Sequence, residues 1–190
     1  TNYLYGGDDK YRLCQEMILG IGGIRILRAL GYHDLNRYHM NEGHASLLVL
    51  ELLAEFRVAR GNGAEISKED IVAVRRQCVF TTHTPVPAGH DQFNLDLVHQ
   101  VFGLANPMQS HEHEFCCEGL LNLTYLALEN SHFVNGVSKE HREVFVLRAA
   151  RDFGIQRAIT HSLGLRSVAH IGALQVVDFL AVVLQIFHEV

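Results

Sequence analysis

The 190 residues contain no tryptophan, three prolines and four cysteines. Cys14, Cys78 and the adjacent pair Cys116-Cys117 make no CxxC spacing. They offer no disulfide framework and read as free thiols of a cytoplasmic protein. No basic tract stands out: 16 Lys and Arg face 21 Asp and Glu, for a net charge of -5, so a nucleic-acid partner is not indicated. The chain opens Thr1-Asn2-Tyr3 with no starting methionine and no signal-peptide pattern, and reads as the interior of a longer reading frame. There is no internal repeat. The longest apolar stretch, residues 171–187, is broken by Gln175, Asp178 and Gln185. Its length of about 17 residues is at the lower limit for a membrane span, and an Asp near the centre costs about 2.5–3.5 kcal/mol. A buried or unfolded apolar tail is the better reading, with no membrane partner.

What is present is a chain of 48% hydrophobic residues, enough for the core of one domain or a large piece of one. Residues 10–30 carry Leu13, Met17, Ile18, Ile21, Ile24, Leu27 and Leu30 at helical spacing. Gly20, Gly22 and Gly23 interrupt this pattern; each weakens a helix by about 1 kcal/mol but lets another backbone come close. Gly31 is the expected stop. A short extended run at 38–40 follows, then a helix over 45–59 closed by Gly61-Asn62-Gly63. Ser67 with Asp70 resembles a capping box and opens a helix through Val74. Residues 78–82 read as a strand, 95–102 as a helix, 104–118 as an irregular polar surface loop and 120–128 as a helix. Residues 132–137 read as a strand and turn, and Ser138 caps a helix to about 150. Pro85 and Pro87 keep the stretch 84–90 out of any ladder. Strands alternating with helices predict an α/β fold with mainly parallel strands.

Two strings carry chemistry: Asn41-Glu42-Gly43-His44 and Phe80-Thr81-Thr82-His83-Thr84-Pro85. Each places a His and a hydrogen-bonding neighbour at the end of an expected strand, where open α/β sheets place ligand groups. From spacing alone, Asn41 reads as an N-cap with Glu42 as an acidic first-turn residue of a surface helix. His83 reads evenly as a ligand group or as a strand-end His bonded to backbone, and Asn135-Gly136 reads as a tight turn. The glycines at 20, 22 and 23 lie inside a helical pattern and suit packing better than phosphate binding. His111-Glu112-His113-Glu114 with Cys116-Cys117 offers imidazole and thiolate, but outside any known zinc spacing, so a solvated loop is preferred.

In order, Leu4-Tyr5-Gly6-Gly7-Asp8, Arg12-Leu13-x-Gln15-Glu16, Leu19-Gly20-x-Gly22-Gly23, His39-Met40-Asn41-Glu42-Gly43-His44-Ala45, Phe80 through Asp91, and Asn135-Gly136-Val137-Ser138 resemble signatures of the bacterial branch of α-glucan (glycogen) phosphorylases. The likeness runs collinearly over about residues 3–150. It implies part of the amino-terminal half of a GT-B fold, Rossmann-like with a mainly parallel sheet. The implied reaction cleaves α-1,4-glucan ends with orthophosphate, giving glucose 1-phosphate. It further implies that Glu42, His44, His83, Asn135, Gly136 and Val137 wall the glucosyl pocket. His83 is then the catalytic position, its carbonyl near the anomeric carbon. Such groups satisfy sugar hydroxyls in both directions, and a carbonyl or carboxylate stabilises an oxocarbenium-like transition state.

The departures are equally specific. The family's pyridoxal 5'-phosphate sits on a Lys of a carboxy-terminal domain that these residues do not include, so the segment alone is expected to be inactive. After Thr160 the likeness stops: His161-Ser162-Leu163-Gly164 replaces an expected Asn-Gly turn, and the expected Trp is missing. Residues 1–160 therefore read as a partial amino-terminal domain, and 161–190 as an atypical apolar end, from a frameshift or chimera or, as the competing explanation, a diverged but genuine carboxy terminus. Two other functions remain open: a non-catalytic glucan-binding remnant, and a metal-dependent hydrolase using His44, His83, His90 and Asp91.

Overall fold

The computed structural model describes residues 7–61, 65–83, 90–103, 116–117 and 119–137. The readings of 84–89, of His111–Glu114, of the helix after Ser138 and of the tail fall outside these residues.

Helix α1 (Asp9–Met17) starts where Asp8 accepts the Tyr11 N–H at 2.8 Å, with Asp9 in its first turn. It runs into one wide π-turn (Ile18–Gly22) and on into α2 (Gly23–Ala29). The glycine-broken helix expected at 10–30 is thus continuous but locally widened. Within this turn Gly20 packs closely, and a Cβ there would fall 2.7 Å from the main-chain nitrogen of Leu48. Helix α2 ends on Gly31 (φ +91°), with Gly31 N–H bonded to the Arg28 carbonyl and Tyr32 N–H to the Leu27 carbonyl. This pair of bonds is the Schellman arrangement that satisfies the last turn.

Strand β1 (Tyr38–Asn41), helices α3 (Leu48–Arg60) and α4 (Lys68–Gln77), and strand β2 (Cys78–Thr82) follow. Helix α3 begins three positions later than its apolar pattern predicts, because Gly43–Ala45 forms a 3₁₀ turn first. Arg28 ties α2 to α3 through both carboxylate oxygens of Glu55 (2.8 and 2.9 Å) and also donates to the Tyr38 hydroxyl at 2.6 Å. The capping box is complete: Ser67 Oγ accepts the Asp70 N–H, and Asp70 accepts the Ser67 N–H. Helix α4 continues past Val74 to Gln77.

After β2 come β3 (Gln92–Asn94), α5 (Leu95–Phe102), β4 (Cys116–Cys117), β5 (Leu120–Asn122), α6 (Leu123–Glu129) and β6 (Phe133–Gly136). Strands β1, β2 and β6 form a parallel sheet with β2 in the middle. Its inward positions Tyr38, Met40, Cys78 and Phe80 are all buried, as are Leu50, Leu52 and Leu53 of α3. Each such side chain contributes about 1.5–3 kcal/mol. Burial also pushes the Cys78 thiol up to about 12. The alternation of strand and helix makes this an α/β fold.

The expected predominance of parallel strands holds for that sheet only. Strands β3, β5 and β4 make a second, antiparallel sheet. Residues 120–122, expected as helix, are strand because Leu121 pairs with Phe93 and both are buried. The helix can start only afterwards, where Asn122 Oδ1 accepts the Tyr125 N–H at 3.0 Å. Asn94 does the same for α5, accepting the Asp96 N–H at 2.8 Å. The loop expected over 104–118 likewise gives way to β4 at Cys116. Among the described residues no helix is long and apolar enough to cross a membrane.

Two glycine substitutions test the packing account. Gly20→Ala must displace the α3 backbone and is expected to cost about 1–3 kcal/mol, against the helix preference of alanine. Gly23→Ala meets nothing within 4 Å and should stabilise by about 0.5–1 kcal/mol. Thermal melts of the two variants should move in opposite directions; parallel shifts would show that Gly20 is not a contact point.

Candidate functional site

Because β1, β2 and β6 are parallel, their carboxyl ends share one edge of the sheet. Asn41 is in register with Thr81, Thr81 with Asn135, and Thr82 with Gly136. The residues following β1 and β2 are Glu42 and His83. In open α/β sheets this edge is where ligands bind.

The Glu42 main chain donates to the Thr81 carbonyl at 2.8 Å, so pairing with β2 continues one residue beyond β1. The chain then turns sharply. Glu42 has φ +72° and ψ 173°, a conformation essentially reserved for glycine. Gly43 follows, close against Thr124 of α6, where a Cβ would lie 3.1 Å from the threonine hydroxyl. The strain aims the Glu42 side chain at β2, where Oε2 accepts the His83 main-chain N–H at 2.6 Å. Glu42 is buried, and its Oε1 has no hydrogen-bond partner among the described residues. The N-cap reading of Asn41 therefore fails. Asn41 is exposed, and its Oδ1 lies 2.5 Å from His83 Nε2. Two residues inward on each strand, His39 Nε2 is 2.8 Å from Thr81 Oγ1. Burial first, and then the nearby His83, hold the His39 imidazole below its ordinary value.

Glu42, His83, Asn135 and Gly136 thus stand on one edge, with exposed Val137 just past β6. His44 takes a different direction. Carried on the 3₁₀ turn, its Nδ1 lies 3.2 Å from Asp91 Oδ2. Asp91 also accepts from Arg12 Nη2 at 2.8 Å, and Arg12 Nε donates to Glu16 Oε1 at 3.0 Å. Burial works against Asp91, but hydrogen bonds from His44 and Arg12 hold it below the usual carboxylate range. Glu16 is buried. Burial first, then the charge of Asp91, pushes its carboxyl up to about 8. A hydrogen bond between the neutral Glu16 carboxyl and Asp91 works in the same direction.

Of the four residues of the metal-hydrolase reading, His44 and Asp91 are brought together, and Glu16 rather than His83 or His90 completes a group with ligand atoms within 4.8 Å of one another among the described residues. Arg12 already supplies a positive charge to that group. Sequence reasoning missed the Asn41–His83 contact, the His39–Thr81 pair and the ionic cluster. Arg12 and Glu16 stand at i and i+4, which is a signal for a pair on α1 but says nothing of Asp91, 79 positions from Arg12.

Two experiments probe these features. At an ordinary position glycine is less stable than alanine by roughly 0.5–1 kcal/mol. At position 42 the order should invert, because alanine keeps the strained backbone at a cost of about 1–3 kcal/mol while losing the same carboxylate. Glu42→Gly is therefore expected to melt above Glu42→Ala; the ordinary order would remove the strain. For Glu16, the folded state keeps a proton that the unfolded chain, with an ordinary value of 4.5, releases well below pH 8. Stability from this group is thus lost as pH rises from about 5 to 8, at up to about 1.4 kcal/mol per unit, and levels off above. Glu16→Gln carries the neutral form throughout. Its melting temperature should gain on wild type across that window, and a pH-independent gap would mean that Glu16 is ionised in the fold.

No protein-family model matches the chain. Individual relatives do. It is 38% identical over 148 residues to the maltodextrin phosphorylase of Thermococcus litoralis, covering 75% of this chain and 17% of that protein. It is 43% identical over 104 residues to the glycogen phosphorylase of Mycobacterium tuberculosis, covering 52% and 12%. With the glycogen phosphorylase of Aquifex aeolicus it shares 30% over 154 residues, covering 76% and 21%. The chain therefore spans about a fifth or less of the length of these relatives. Over that stretch the resemblance carried by the motifs extends to most of the sequence, and the chain belongs, as a segment, to the α-glucan (glycogen) phosphorylase family.

Proposed function

We propose that this segment forms one wall of the glucosyl site of an α-1,4-glucan phosphorylase. The enzyme would be a GT-B-type glycosyltransferase that uses orthophosphate to release glucose 1-phosphate. What supports it most is the convergence of Glu42, His83 and Asn135-Gly136 on the carboxyl edge of one parallel sheet, within a sequence related to named phosphorylases. The chain's own residues supply recognition and electrostatics. Glu42 Oε2 fixes the main chain entering His83. Asn41 steadies the His83 ring. The His83 carbonyl and the Glu42 carboxylate then face positive charge developing on the ring. Asn135 and the Gly136-Val137 backbone close the wall, and His44 contributes a further polar contact. Residues 1–160 are part of the amino-terminal domain on this reading, and a cytoplasmic location goes with it.

Pyridoxal 5'-phosphate, when bound in such enzymes, supplies a phosphate that relays a proton. A Schiff-base lysine needs a desolvated amine. The described lysines, Lys10 and Lys68, are both exposed and do not fit that role. By resemblance to the family, the cofactor's lysine belongs to a part of the enzyme outside this chain, and the 190 residues alone should release no glucose 1-phosphate.

His83→Ala in a full-length enzyme carrying this segment is the decisive variant. The exposed ring makes a contact with Asn41 that contributes little to folding, so the melting temperature should move slightly. Turnover at saturating glucan and phosphate should fall by an amount equivalent to about 2–4 kcal/mol. Unchanged turnover with a lowered melting temperature would make His83 a structural residue and remove it from the site.

A further inference from the structure

The ionic cluster joins α1, through Arg12 and Glu16, to Asp91 and to His44. His44 occupies the turn that follows strained Glu42, and one of its two ring nitrogens meets Asp91 at 3.2 Å. Asp91 is itself held by the Arg12 guanidinium at 2.8 Å. An ionised carboxylate only accepts hydrogen bonds, so the nitrogen facing it must carry the proton. That nitrogen is Nδ1. The ring's other nitrogen, Nε2, is then an acceptor when the ring is neutral and a donor when it is charged. A partner that fixes one ring nitrogen in this way sets both the tautomer and the orientation of the imidazole.

Each member of the cluster has a defined part. Arg12, on α1, bonds Asp91 and Glu16 through different nitrogens, which fixes the direction from which Asp91 approaches His44. Glu16 is buried among them and, keeping its proton at neutral pH, adds no second negative charge to compete for Arg12. Had Glu16 been ionised, two carboxylates would share a single guanidinium.

We propose that Asp91 is the positioning residue for His44, holding it as the Nδ1–H imidazole, with Arg12 and Glu16 fixing Asp91 in turn. The proposal rests on the sugar-site reading only for its consequence in catalysis; the tautomer itself can be read without substrate. The measurement is a long-range ¹H–¹⁵N correlation spectrum of the ¹⁵N-labelled 190-residue protein. His44 is identified by its loss in His44→Gln, and the pH is chosen from its own titration so that the ring is neutral. Wild type should show the Nδ1–H form. Asp91→Ala should shift His44 toward the Nε2–H form that a free imidazole prefers. Asp91→Asn, whose amide oxygen still accepts, should retain Nδ1–H.

An Nε2–H form in wild type overturns the proposal, and that spectrum decides even if Asp91→Ala does not fold. So does an unchanged tautomer in folded Asp91→Ala. In a full-length enzyme carrying the segment, Asp91→Ala should lower turnover by about tenfold or more, with Asp91→Asn recovering most of it. A changed tautomer with unchanged turnover would leave the positioning role standing and remove His44 from the sugar site.

Discussion

With β2 lying between β1 and β6 and all three strands running the same way, three separate stretches of chain are forced to end side by side. Every feature of the candidate site depends on that pairing. It brings Asn41 and Thr81 into register and lets the backbone of Glu42 add one more bond to β2 before turning. The pairing is in turn secured by the core beneath it. Met40 and Phe80 are register partners, and both are fully buried. A slip by one residue would expose them and bury polar neighbours instead, so the hydrophobic pattern also fixes the polar edge.

The edge itself is not a relaxed structure. Glu42 sits in a backbone conformation that costs energy, and Oε1 of its carboxyl is buried without a partner among the described residues. Both are unfavourable for folding alone. Glu42 is retained in this pose by the short bond to His83 and by the tight seating of Gly43 against α6. The surrounding elements are well satisfied by contrast: capped helices, a complete capping box, and a bidentate pair between Arg28 and Glu55. Strain is concentrated where recognition is proposed.

Much of this was legible beforehand. Strand β2 is found over the residues its composition indicates, because Val79, Phe80, Thr81 and Thr82 favour extended backbone. The capping box and the Gly31 stop were readable for the same reason: they depend on residues close together in sequence. What was hidden depends on distant partners. Nothing local distinguishes Leu120 to Asn122 from the helix that follows, and only pairing with Gln92 to Asn94 makes a strand of it. The positive φ of Glu42 is invisible because the residue type argues against it. The two strings marked Glu42 and His83 each as lying at the end of a strand, which is where they lie. That Glu42 bonds the main chain of His83, while His44 turns away to Asp91, depends on contacts between residues more than 40 positions apart.

Cys78 begins the central strand, fully buried, with its thiol pushed far from the thiolate form. An alkylating reagent needs a thiolate and access, and the closed sheet denies both. The reactivity of Cys78 therefore measures how often β2 comes away from its neighbours, and this chain carries within its central strand a chemical clock for the opening of its own sheet.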